Sequence, residues 1–99
     1  MPLARATLDD ILLAESPTWE TVEGNVYFPP AAIHDKSPFT PTDLSTHCPW
    51  KGDASYYSIR IGDKTVPNAA WFYPTPFEAA AKIKDHVAFY TSKVKVTVE

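Results

Sequence analysis

Ser55-Tyr56-Tyr57-Ser58-Ile59-Arg60-Ile61 alternates with a period of two, so Tyr57, Ile59 and Ile61 share one face of an extended chain and Tyr56, Ser58 and Arg60 the other. This pattern predicts a β-strand. Gly62-Asp63 then turns the chain toward Lys64-Thr65-Val66. Farther on, Ala69-Ala70-Trp71-Phe72-Tyr73 is another short strand ended by Pro74, with Trp71 and Tyr73 on one face and Phe72 on the other. At the C-terminal end, Val87-Ala88-Phe89-Tyr90 returns to β character, and residues 93–98 alternate charged or polar side chains with valine, as expected of a charged edge strand.

Upstream, residues 4–8 and 11–15 are short β-prone runs separated by Asp9-Asp10, which predicts an N-terminal hairpin. Residues 18–22 and 26–28 predict a second hairpin around Glu23-Gly24-Asn25, where Gly and Asn accept positive φ, and Pro29-Pro30 closes it. Residues 34–46 are dense in Ser, Thr, Pro and Asp with no sustained period, and are expected to form an ordered surface loop anchored by Phe39 and Leu44.

Thr75-Pro76-Phe77-Glu78 has the form of a capping box with proline at the first helical position, so one short helix is expected over about 76–85. Phe77, Ala80, Ile83 and Val87 would form its apolar stripe.

Ninety-nine residues suffice for one domain with a single hydrophobic core, here taken as 1–99. Ten prolines against three glycines favour short strands and stiff loops over long helices. The net charge of -3, with nine basic residues scattered among twelve acidic ones, offers no broad positive field, so nucleic acid is not an expected partner. No apolar run approaches the roughly 20 residues that span a bilayer, and Met1 to Arg5 lack the apolar core of a secretory signal. A soluble, cytoplasmic protein without membrane contact is expected. A single cysteine can form no internal disulfide and cannot supply the paired thiolates of most structural zinc sites. His34, His47 and His86 have no metal-ligand spacing, so neither metal nor other cofactor is expected.

Chemistry concentrates in Thr46-His47-Cys48-Pro49-Trp50-Lys51-Gly52-Asp53-Ala54. Cys48 would be a nucleophile if His47, Lys51 or His86 lowered its pKa from about 8.5. Its alternative reading is a small buried apolar residue. His86 could act from the end of the helix, where capping explains it equally well. Lys51-Gly52 could meet an anion through an amine and exposed amides, or simply turn the chain into the next strand. Trp50, Tyr56, Trp71 and Tyr73 could line an aromatic pocket, although aromatics of small β domains more often form the core, as assigned here to Trp19 and Tyr27.

The run THCPWKGDASYYS, followed by NAAWFYPTPFEAAAKIKDHVAFY and a valine-rich end, resembles the family catalogued as domain of unknown function 427. The likeness spans nearly the whole chain, from Ala4 to Val98. It implies a mainly β fold, a compact antiparallel sheet structure of the Mss4-like or β-tent kind, with one short helix near the C-terminus. Relatives of that fold often clip two hairpins with zinc held by cysteine pairs. With Cys48 alone, the metal does not carry over. A nucleotidyltransferase label attached to the family implies two or three carboxylates holding Mg²⁺ and amides cradling a triphosphate. Asp9-Asp10 is adjacent, reads as a turn, and has no glycine-rich loop beside it.

Two functions of different class follow. In the first, Trp50, Tyr56, Trp71 and Tyr73 bind an unidentified small molecule or protein segment, with Lys51 or Arg60 supplying polarity. In the second, Cys48 is the nucleophile of a small-molecule enzyme, His47 or His86 its acid and base, and Lys51 or backbone amides the oxyanion stabiliser. Cys48→Ser should leave the first intact, and Trp71→Ala should abolish it. Edge strands also leave a homodimer open.

Overall fold

The computed structural model describes residues 2–99. Among them nine strands follow in order: β1 (Ala4–Leu8), β2 (Ile11–Ser16), β3 (Glu20–Val22), β4 (Asn25–Tyr27), β5 (Phe39–Cys48), β6 (Gly52–Ile61), β7 (Lys64–Phe72), β8 (Val87–Phe89) and β9 (Lys95–Val98). Their named pairings are all antiparallel, in the orders β2-β1-β9, β3-β4 and β5-β6-β7-β8. The expected mainly β, antiparallel class is observed. No helix among the described residues is long and apolar enough to cross a membrane.

The first two hairpins close through pairs of residues with positive φ, Asp9 (50°) with Asp10 (67°) and Glu23 (54°) with Gly24 (79°). Positive φ at both central residues is the type I′ pattern, whose twist matches that of the flanking strands. At the second turn the expected positive φ of Gly24 is present, but its partner is Glu23, not Asn25, which belongs to β4. The β3-β4 hairpin joins the larger sheet where Phe28 and Val87 exchange backbone hydrogen bonds of 2.8 and 2.9 Å. β9 pairs only with β1 and is therefore an edge strand, as its charged alternation suggested.

The alternation of residues 55–61 survives as a division between two cores. Tyr57, Ile59 and Ile61 pack with Phe28, Phe89 and the β1-β2 side chains in one cluster, while Ala54 and Tyr56 pack with Tyr27, Trp71 and Ile83 in the other. β7 divides likewise, Phe72 facing the first cluster and Trp71 and Tyr73 the second. The β6-β7 register shifts between Tyr57 and Ile59. There Asn68, at φ 48°, donates its amide hydrogen to Ser58 Oγ (3.0 Å) and accepts from Thr42 (2.8 Å), stitching three strands together. Ser58 is thereby buried on its strand without an orphaned polar group.

Two expectations are corrected. Residues 34–46 are not loop throughout: β5 begins at Phe39. It is the outermost strand of its sheet and most of its side chains face solvent, so no buried face imposes a hydrophobic period. Pro41 is tolerated on such an edge, and pairing lapses between Pro41 and Ser45. The expected helix over 76–85 is a six-residue 3-10 segment, Glu78–Ile83, broken by non-helical geometry at Ala80. Phe77, which has no side-chain acceptor, takes the capping position in place of Thr75, and its amide donates to the Lys51 carbonyl (2.9 Å). The spacing of Phe77, Ala80 and Ile83 is three residues, the period of a 3-10 turn. Ala80 and Ile83 are buried, whereas Phe77 is exposed and Val87 belongs to β8.

Candidate functional site

The hairpin between β5 and β6 turns through Pro49, Trp50 and Lys51, and Cys48 pairs with Gly52 to close it. Gly52 has φ 112°, and a Cβ there would lie 3.4 Å from the Thr75 carbonyl oxygen and 3.5 Å from the Phe77 amide nitrogen. Those are ordinary contact distances, so it is the positive φ that calls for glycine here, and beside it the Lys51 carbonyl accepts the Phe77 amide hydrogen. The turn tucks the Lys51 side chain inward until the residue is only 7% exposed. Its ammonium donates to the carboxylate of Glu23, at the tip of the β3-β4 hairpin, and sits 5.5 Å from the ring centres of both Trp50 and Tyr73. A buried lysine needs this kind of compensation: a paired charge, and aromatic faces that attract a cation.

Beside the ammonium, five aromatic side chains interlock. Trp71 Nε1 donates to Tyr27 Oη at 3.1 Å, with the two rings edge to face. Tyr90 lies against Trp71 at 4.6 Å between centroids and nearly parallel to Tyr56 at 6.5 Å. Tyr56 Oη shares a hydrogen bond with Thr46 Oγ1 (2.8 Å) and accepts a long one from Tyr90 (3.5 Å). Tyr73 completes the group next to Lys51. Lys51, Tyr56, Trp71, Tyr73 and Tyr90 wall an open cavity of about 390 Å³, with Asn25, Thr91 and Ser92 at its polar margin.

The charges are held in place electrostatically. Burial works against the Lys51 ammonium, but the hydrogen bond to Glu23 and the fields of Tyr27, Tyr73 and Glu23 prevail and hold its pKa above that of a free lysine. The same hydrogen bond depresses the Glu23 carboxyl below the ordinary range. Burial raises the Tyr73 phenol. Tyr90 is pushed up to about 12, first by its hydrogen bond to Tyr56 and then by burial. Near neutrality the cavity thus presents an ammonium, a carboxylate at its edge and neutral phenols, and Lys51 has no free amine to act as a nucleophile.

Of the residues singled out from the sequence, Lys51, Tyr56, Trp71 and Tyr73 surround this one cavity. Trp50 is 40% exposed and lies over the Lys51 ammonium from outside the cavity wall. Arg60 is exposed, with Nε 3.3 Å from the Gly62 carbonyl, and Lys51 is the one basic residue among those lining the cavity. Cys48 is half-buried against the aromatic cluster. His47 Nδ1 is 2.7 Å from Asp53, with both side chains exposed, and His86 Nδ1 donates to the Lys84 carbonyl at 2.9 Å. Neither of these hydrogen bonds involves the Cys48 thiol. Glu23, Tyr27 and Tyr90 complete the site without having been singled out for it. Tyr27 serves the core as expected and the site as well, and Glu23 has the sequence signature of a turn because a partner 28 residues away leaves no local pattern. No group of three or more His, Cys, Asp or Glu side chains that could hold a metal occurs among the described residues.

No curated protein matches the chain. A family model does, over residues 4–99, and the chain therefore belongs to the family described as Domain of unknown function (DUF427).

Proposed function

We propose that this protein is a binding module whose ligand is a small planar molecule received between the Tyr56, Trp71, Tyr73 and Tyr90 rings. One observation carries the reading: a lysine ammonium, almost withdrawn from water, opens onto a cavity walled by aromatic rings. A volume of about 390 Å³ falls within the size of small-molecule sites, which combine apolar walls with a few placed polar groups. The Cys48 enzyme reading has less support, because among the described residues no hydrogen bond joins the half-buried thiol to either imidazole.

The test is a panel of aromatic fragments read by tryptophan fluorescence in a Trp19→Phe, Trp50→Phe background, which leaves Trp71 as the reporter. Binding should perturb Trp71 emission, and Tyr90→Ala should weaken it by about tenfold, the scale of one lost aromatic contact. Fragments that shift backbone amides only on the opposite face of β6 and β7 would refute the assignment.

A further inference from the structure

We propose that Glu23 is an internal stand-in for the ligand: the molecule taken by this cavity carries a carboxylate, which displaces Glu23 from Lys51. The inference rests on the aromatic-cavity reading above and adds the ligand's charge and its mode of entry.

The Lys51–Glu23 pair is asymmetric. The lysine side chain is 9% exposed and the glutamate 52%, so the anion can depart into water while the cation cannot. A departing Glu23 leaves a buried ammonium without a counter-ion, a costly state unless another anion takes its place. Glu23 also holds φ 54° at a turn position where Asn, Asp or Gly is usual. Lys51, whose ammonium the Glu23 carboxylate contacts, lines the cavity, so an anion that replaces Glu23 on the ammonium meets the space the rings border.

The charge count selects the class of anion. Lys51 is the one cation among the residues lining the cavity; the Lys93 ammonium stands 5.4 Å from the Tyr90 ring centre and donates to the Pro67 carbonyl, while Arg60 and Lys82 are engaged with Gly62 and Glu20. One lining ammonium matches a monoanionic carboxylate, whereas polyphosphates recruit several cations. The aromatic walls then take the flat body to which that carboxylate is attached.

The experiment compares 2-naphthoate with its neutral counterpart 2-naphthamide by calorimetry on the wild type, Glu23→Gln and Lys51→Met. The wild type should prefer the carboxylate. Glu23→Gln, which removes the internal competitor, should bind naphthoate about tenfold more tightly and naphthamide within about twofold of wild type. Lys51→Met should lose the preference while keeping naphthamide. In the wild type, saturating naphthoate should also raise the titration midpoint of the Glu23 carboxyl carbon toward that of an exposed glutamate. Equal affinity for the two probes, or naphthoate binding unchanged in Glu23→Gln, overturns the displacement while leaving the aromatic cavity standing. Failure of both probes with every variant overturns it too, and the fragment panel then judges the cavity separately.

Discussion

The two faces of the β6-β7 pair differ in chemistry more than in burial. One face joins Tyr57, Ile59 and Phe72 to a cluster of alanines, aliphatics and phenylalanines drawn from β1, β2, β8 and the loops. The other joins Ala54, Tyr56, Trp71 and Tyr73 to Tyr27 and the 3-10 segment, and its polar atoms pair in separate groups, Thr46–Tyr56–Tyr90, Trp71–Tyr27 and Lys51–Glu23. The first borders cavities of about 290 and 230 Å³ beside Tyr57, but among the described residues it holds no buried charge. The second carries polar groups that a purely structural core would omit, each requiring a partner to offset its desolvation, and it opens to a cavity. Where one sheet separates two cores, the core with the compensated polar groups is the place to seek function.

The contrast can be broken by mutation. Phe28→Ala, in the first cluster, removes a fully buried ring packed edge to face on Phe89. It should cost about 3–5 kcal/mol in chemical denaturation with an unchanged m-value. Tyr27→Phe, in the second, keeps the ring but strands the Trp71 indole N–H, for about 1–3 kcal/mol. A loss as large as that of Phe28→Ala would mean that the polar set contributes as much to stability as the packed one.

pH separates the aromatic core further. A phenol whose folded pKa, about 12 for Tyr90, exceeds the unfolded value of about 10 holds its proton more tightly when folded. Its stabilisation is whole below pH 10 and is lost as pH rises toward 12. Lys51, also raised, acts in the same direction above the ordinary lysine pKa of about 10.4. Stability should therefore fall more steeply above pH 10 in the wild type than in Tyr90→Phe, and absorbance at 295 nm should show one late-ionising tyrosine missing from the variant. At the acid end, Glu23 is depressed, so its contribution is present above the unfolded value of about 4.3 and lost as pH falls through the folded one. Glu23→Gln should flatten the acid limb of the stability curve.

The smallest effect is expected at Cys48, half-buried at the edge of the second cluster. Cys48→Ser should change stability by about 1 kcal/mol or less. Iodoacetamide should modify the folded thiol more slowly than the denatured one at pH 6 to 7. A faster folded-state rate would reinstate the nucleophile and make the Cys48 reading the stronger one.

The sequence was most legible where a buried face imposed a period. β6, β7, both early hairpins and the edge strand β9 follow from alternation and turn residues. β5 was hidden because it is a solvent-facing edge, and an exposed strand has no reason to alternate. The 3-10 segment was read as a longer helix because Thr75-Pro76-Phe77-Glu78 satisfies the local grammar of a helix start; the Lys51 carbonyl claims the Phe77 amide and overrides it. In the site, Tyr56, Trp71 and Tyr73 were legible as aromatics at strand positions. Tyr90 lay in a recognised strand, yet nothing local linked it to Tyr56, 34 residues away.

By itself, the sequence determined the antiparallel β class, the family, and the two-faced character of its central strands, because period and turn preference are local properties of the chain. Only the tertiary structure decided that Lys51 is buried, that Glu23 meets it, and that Trp50 and Arg60 stand outside the cavity wall while Tyr90 helps to form it. Those outcomes depend on how hairpins distant in sequence dock and on which charge the docking withdraws from water. Neither is encoded in the spacing of neighbouring residues.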